Sequence, residues 1–163
     1  VRVLTILGTS ASLPSDIASF GVRGDVMAVN RAVVDYPWPI LHAVSVHDDL
    51  LNVLMEFRAV NRRNVDGVLR HSDDGACPLA INTSGLYALW LSQQLDYDLV
   101  RVLGLSADTS GHYYDIVPEV ATGGPNDFLA KFPFDNEQWL EEFKGWTNVR
   151  VSSGNLLRLF HRL

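Results

Sequence analysis

Cysteine is all but missing from this sequence: Cys77 stands alone in 163 residues. A lone thiol excludes an internal disulfide framework and a cysteine-based zinc cage, and a reducing, cytoplasmic setting is expected. Lysine is nearly as scarce, with only Lys131 and Lys144, while the arginines are dispersed along a chain of net charge −6. Without a basic stripe to neutralise a long phosphate backbone, nucleic acid is not an expected partner. Long hydrophobic runs are absent too, and none approaches the roughly 18–20 apolar residues that a membrane-spanning helix requires. The opening VRVLTILG has neither a charged leader nor a cleavage site, so a soluble chain is expected. Internal repeats and low-complexity tracts are lacking as well.

What remains is the composition of a folded protein, 47% hydrophobic and 20% charged. The length fits one compact domain, residues 1–163, with a core of its own. Short runs rich in Val, Ile and Leu recur between helix-like segments, the pattern of strands buried on both faces. Strands are predicted at 1–7, 25–29, 41–46, 68–70, 100–105 and 149–152; the last fits a parallel strand and an antiparallel edge strand equally. Helices are predicted at 14–20, 49–63, 84–97 and 136–144. Pro14 suits a first helical turn, where its missing N–H does no harm. The second helix carries Leu50, Leu51, Leu54 and Phe57 as its apolar face. SGLYALWLSQQL is apolar nearly all round and should lie deep against the sheet. The fold class is therefore α/β, a Rossmann-like, mostly parallel sheet with helices on both faces. After the fifth strand comes a long, lid-like excursion, residues 106–145, rich in Gly, Pro and aromatics.

ILGTSASLPSD leaves the first strand through Gly8, Thr9, Ser10 and Ser12 and opens a helix. It lacks the three glycines of a dinucleotide fingerprint, and the second strand ends in Asn30 rather than an acid, which disfavours an NAD site. No G-K-[ST] follows, so it is not a P-loop. A strand-to-helix turn with small hydroxylated residues can still hold an anion on backbone N–H groups; it can equally be an ordinary helix cap. Asn30 offers a donor and an acceptor to a base or ribose, and Arg31 could meet a phosphate or water. INTSG repeats the opening pattern with Asn82, Thr83, Ser84 and Gly85 ahead of the buried helix. Near the end of the fifth strand, Asp108, His112, Tyr113, Tyr114 and Asp115 are candidates for acid–base work. Asp48 and Asp49 suit helix capping, and would serve Mg2+ only if a phosphoryl group were transferred. No resident metal is expected. His42, His71 and His161 belong to no motif, Trp139 and Trp146 read as core, and Trp38 in YPWPI reads as a packed turn.

Taken in order, ILGTSASL, VMAVNRAV and NTSGLYALWLSQQLDYDLVRVLGLSAD resemble a bacterial group that includes the CMP-sialic acid-dependent sialyltransferases and the 6-hydroxymethylpterin diphosphokinase-like family. Ser10 and Ala11 stand where those families commonly have Gly and Pro, and the chain is shorter than typical members. The resemblance implies that Gly8, Ser10, Ser12, Asn30, Thr83, Ser84 and Gly85 line a nucleotide pocket. It also implies a late His acting as general base with Tyr helping the departing phosphate, which His112, Tyr113 and Tyr114 match by loose position only. The expected function is glycosyltransferase-like. A sugar, of sialic acid type under the resemblance, would pass from a CMP- or UDP-type donor to an acceptor hydroxyl, with His112 or Asp108 taking the proton and no tightly bound cofactor. Mg-dependent diphosphoryl transfer and a non-catalytic nucleotide- or partner-binding domain are the alternatives.

Overall fold

A computed structural model describes residues 1–61, 65–73, 75–79, 83–107, 111–114 and 133–163. Seven strands, β1 (Val3–Leu7), β2 (Asp25–Val29), β3 (His42–Val44), β4 (Leu69–His71), β5 (Leu99–Leu103), β6 (Val149–Val151) and β7 (His161–Arg162), form one sheet in the order β4-β3-β2-β1-β5-β6-β7. Every pairing is parallel; Ile6, for example, stands opposite Met27 on one side and Val102 on the other. The chain steps outward from β1 to β4 and then returns to the far side of β1. The order therefore reverses between β1 and β5, the point where open α/β sheets bind ligands.

Two apolar layers sandwich the sheet. Helices α1 (Leu13–Phe20), α2 (Ala32–Asp35) and α3 (Asp48–Val60) cover the face carrying Leu7, Ala28, Ala43 and Leu103. Helix α4 (Ser84–Gln94), helix α5 (Glu137–Gly145) and the 3-10 turn Asn155–Arg158 cover the face carrying Ile6, Met27, Val44 and Val102. This doubly wound arrangement follows from strand runs that alternate sides and are apolar on both. Helix α4 is buried along most of its length, as its all-round apolar sequence requires, and Trp139 and Trp146 join its core cluster.

One expectation left open is decided, and others need correction. The strand at 149–152 lies inside the sheet, parallel, because the two-residue β7 pairs beyond it. Neither β7 nor the one-turn α2 has a run long enough to be read from sequence. Helix α4 stops at Gln94, short of the predicted Tyr97. Trp38 is 65% exposed rather than packed. On α3 the predicted apolar face is split: Leu51 is buried, whereas Leu50 and Phe57 are exposed. The reason is Arg58, fully buried, whose guanidinium donates to the carbonyls of Val33 (2.7 Å), Tyr36 (2.9 Å) and Trp38 (2.8 Å). Those bonds tie the loop after α2 to α3, and they turn the neighbouring Phe57 outward.

Two of the histidines without a motif, His42 at the start of β3 and His71 at the end of β4, join a chain with Tyr97 and Asp25. His42 Nδ1 lies 3.0 Å from His71 Nε2, its Nε2 lies 3.3 Å from the Tyr97 hydroxyl, and that hydroxyl donates to Asp25 (2.9 Å). Burial, with His71 beside it, lowers the His42 pKa to about 4, so the pair is neutral and structural at neutral pH. His161 is exposed on β7.

Candidate functional site

The loop after β1 and the loop after β5 are pressed together. Gly8 N donates to the Leu103 carbonyl (2.9 Å) and Ser10 N to the Gly104 carbonyl (2.8 Å), while Ala11 N reaches Gly111 (2.9 Å) and Leu13 N reaches Ser10 (2.9 Å). A Cβ on Gly8 would run into the Gly104 carbonyl oxygen, so only glycine allows the approach. Ser10 Oγ accepts from Ser106 N (3.0 Å) and lies 2.9 Å from Ser106 Oγ. These amides are used inside the protein.

Beneath them sits a residue the sequence did not single out. Asp16, in the first turn of α1, is buried, and its Oδ2 accepts from Gly104 N (2.9 Å), Ser152 Oγ (2.6 Å), Ser12 Oγ (3.0 Å) and Ser153 Oγ (3.0 Å). One carboxylate thus gathers the ends of β1, β5 and β6. Ser12 occupies the N-cap position of α1 without a side-chain cap, because its hydroxyl is turned to Asp16. The sequence signal was faint: an acid one turn into SLPSD, and a Ser-Ser pair closing β6.

The second helix beginning differs. Thr83 caps α4 by accepting from Leu86 N (3.2 Å), and Ser84 Oγ accepts from Val46 N, just beyond β3, at 3.0 Å. The amides of Ser84 and Gly85 find no acceptor among the described residues. They belong to the positive end of an eleven-residue helix. Gly85 packs so closely on Leu105 that a Cβ there would meet Leu105 Cδ1, and Leu105 Cβ also approaches Gly8. The two helix beginnings thus share the C-terminal edge of the sheet, with the Leu105 side chain between them.

Asn30 stands at the tip of β2 on that edge, its amide bonded to the Val44 carbonyl (2.9 Å). Its φ is 49°, a left-handed conformation that asparagine tolerates better than most residues. Its Oδ1 is buried and has no hydrogen-bond partner among the described residues. An orphaned buried acceptor costs about 1–3 kcal/mol, and native structures carry few of them.

The segment 111–114 crosses over the first loop. His112 forms an isolated antiparallel bridge with Ser10, and Tyr113 N donates to the Thr9 carbonyl (3.1 Å). The rings of His112 and Tyr114 stack with centroids 4.9 Å apart. Tyr113 donates to Asp35 Oδ2 (2.8 Å), which also takes an ion pair from Arg31 (3.0 Å); the Arg31 guanidinium lies 5.4 Å from the Tyr114 ring centroid. Burial and the Asp35 carboxylate push the Tyr113 phenol pKa well up, so it stays protonated and donates. Arg31 therefore meets a carboxylate and an aromatic face while its side chain stays 55% exposed to water.

Asn82, Asp108 and Asp115 lie outside the described residues, as does the part of the excursion from 115 to 132. Asp48 and Asp49 occupy the first turn of α3 without capping it, and Asp48 Oδ1 accepts from Ser72 Oγ (3.2 Å). Among the described residues no three His, Cys, Asp or Glu side chains gather as metal ligands, and no helix is long and apolar enough to cross a membrane.

Fold and site together define a doubly wound, Rossmann-like α/β protein, with polar residues gathered at the topological switch. No family model matches the chain, and no curated protein or solved structure matches it either.

Proposed function

We propose that the chain binds a nucleotide-activated sugar at the C-terminal edge of its sheet and transfers the sugar to an acceptor hydroxyl. One observation carries this reading: the buried Oδ1 of Asn30 at the tip of β2, without a hydrogen-bond partner among the described residues. An acceptor cannot be satisfied by phosphate oxygens. It calls for a donor, a ribose hydroxyl or the exocyclic amine of a base such as cytosine. The Ser84 and Gly85 amides supply the complementary feature, donors at a positive helix end suited to the donor phosphate.

The chemistry follows from that arrangement. The bond between the anomeric carbon and the phosphate oxygen breaks, and its electron pair leaves with the phosphate, which the α4 amides stabilise. The acceptor oxygen bonds to the anomeric carbon, and its proton passes to His112, which the Ser10 bridge holds beside the switch. Asp108 is the second candidate for that proton. Gly8, Thr9, Ser10 and Ser12 shape the floor of the site, and Arg31 and Tyr113 brace its rim through Asp35.

The test is thermal-shift screening of the chain against CMP, UDP, GDP and ATP, with and without Mg2+. A ligand that binds only the folded state must raise its stability, by about 2.7 kcal/mol at a hundred times its Kd. Stabilisation by CMP or UDP without metal is expected. Stabilisation by ATP only with Mg2+ would replace this reading with phosphoryl transfer, and no stabilisation by any of the four would leave a domain without a nucleotide site.

A further inference from the structure

The chain of hydrogen bonds from Asp25 on β2 through Tyr97 and His42 on β3 ends at His71, on the edge strand β4. His42 is 3% exposed and Tyr97 5%, and His71 is half-buried. Its donors and acceptors follow from one end to the other. Tyr97 gives its single hydroxyl proton to the Asp25 carboxylate, so its oxygen accepts from His42 Nε2–H. A neutral imidazole protonated on Nε2 has a lone pair on Nδ1, and the proton shared between the two rings therefore sits on His71 Nε2. This order has room for one added proton and not for two. Whichever ring takes the first, the facing nitrogens, 3.0 Å apart, still share one proton; a second sets two N–H groups against each other and breaks the contact. The surroundings offer a second cation little. The carboxylate acting on His42 is that of Asp25, already engaged by Tyr97, and the Arg2 guanidinium, 4.6 Å from the Tyr97 ring centroid, opposes it. Helix α4, which covers this face, carries no charged side chain, and its Tyr87 hydroxyl donates to the Ser72 carbonyl (2.9 Å). Strand β4 has few other ties: it is three residues long, Leu69 and Arg70 are exposed, and it pairs with β3 alone.

We propose that the His42–His71 contact is an acid-released latch, which holds the edge strand β4 to β3 at neutral pH and frees it, ahead of the rest of the sheet, when the pair takes up its second proton. The sign follows from burial. In the closed form burial, and for His42 also the neighbouring His71, hold both imidazoles below their ordinary pKa, and in the open form both return to it. The open form thus binds more protons, so opening is independent of pH above about 6.5 and grows easier as pH falls from there toward about 4. His42 alone, moving from about 4 closed to 6.5 open, makes opening about twentyfold more favourable at pH 5 than at pH 7.

Amide hydrogen exchange of the full chain, followed by nuclear magnetic resonance and normalised to the intrinsic rate at each pH, tests this. The reporters are Leu69 N, bonded to the Leu41 carbonyl (2.8 Å), and Ser45 N, bonded to the His71 carbonyl (3.1 Å); Ser152 N, bonded to the Val102 carbonyl (3.0 Å) across β1 from them, is the comparison. Protection at Leu69 and Ser45 should lie below that at Ser152 and should fall by about twentyfold or more from pH 7 to pH 5. In His71→Gln, whose side-chain amide can either donate to His42 or accept from it, the fall should be smaller by about threefold or more. Ring nitrogen shifts of the unsubstituted chain at pH 7 should place the proton on Nε2 of both His42 and His71, a readout that needs no variant to fold. Protection that does not change between pH 7 and pH 5 overturns the proposal. So does Leu69 and Ser45 protection equal to that of Ser152, a fall as large in His71→Gln, or a proton on Nδ1 of His42.

Discussion

The helix beginnings near Ser12 and near Ser84 are alike in sequence, each a small, hydroxylated, glycine-bearing turn after an apolar run or ahead of one. In the fold they are used to different extents. Around the first, the amides of Gly8, Ser10, Ala11 and Leu13 donate to nearby carbonyls, those of Thr9, Ser12 and Ser15 find no acceptor among the described residues, and the hydroxyl of Ser12 is turned to Asp16. At the second, a threonine caps one amide and the amides of Ser84 and Gly85 find no acceptor among the described residues. The difference is supplied from elsewhere in the chain: β5 brings a carbonyl-rich turn, with Gly104 at φ 64°, directly onto the first loop. A helix N-terminus is an anion site only where nothing in the protein has reached it first.

Four substitutions sharpen the contrast. The largest effect belongs to Asp16→Ala. It removes the acceptor of four donors, of which Gly104 N and Ser152 Oγ are buried while Ser153 and Ser12 can still pair with each other, and unfolding free energy by denaturant titration should fall by about 3–5 kcal/mol. A loss under about 1 kcal/mol would mean that the first turn is not a clamp. Next is the paired comparison of Gly8→Ala with Gly85→Ala. The first methyl meets a backbone oxygen that cannot swing aside, for a loss of about 2–3 kcal/mol. The second meets the end of a leucine side chain, and alanine's better helix propensity offsets the crowding, so stability should change by less than about 1 kcal/mol. Equal losses would erase the distinction between the two starts. The smallest effect on stability comes from Asn30→Gly, which suits the positive φ and removes the orphaned oxygen. Its Tm should hold or rise, while nucleotide affinity measured by calorimetry drops roughly tenfold.

Much of this architecture was legible. The runs at β1, β2 and β5 and the all-apolar α4 are dictated by burial on two faces, and periodicity reports burial directly. Asn30 could be placed at a strand tip, but its unpaired oxygen could not be foreseen, since pairing depends on which neighbours arrive in space. Asp16 was invisible for the same reason: Ser152 and Ser153 come to it from the far end of the chain. Helix α3 misled because its hydrophobic pattern marks two surfaces, one toward the sheet and one toward solvent, while the buried Arg58 counts as polar in any such pattern. Trp38 misled because aromatic bulk predicts burial, whereas here it is the backbone carbonyl that is held.

Amide chemical shifts during titration with CMP, followed by nuclear magnetic resonance, bear most directly on the claim that the start of α4, not the start of α1, receives the ligand. The Ser84 and Gly85 resonances should move most, together with the Asn30 side-chain amide, while Gly8, Ser10 and Ala11, whose amides are already bonded to carbonyls, move less. Movement concentrated at Gly8, Ser10 and Ala11, with Ser84 and Gly85 still, would contradict it.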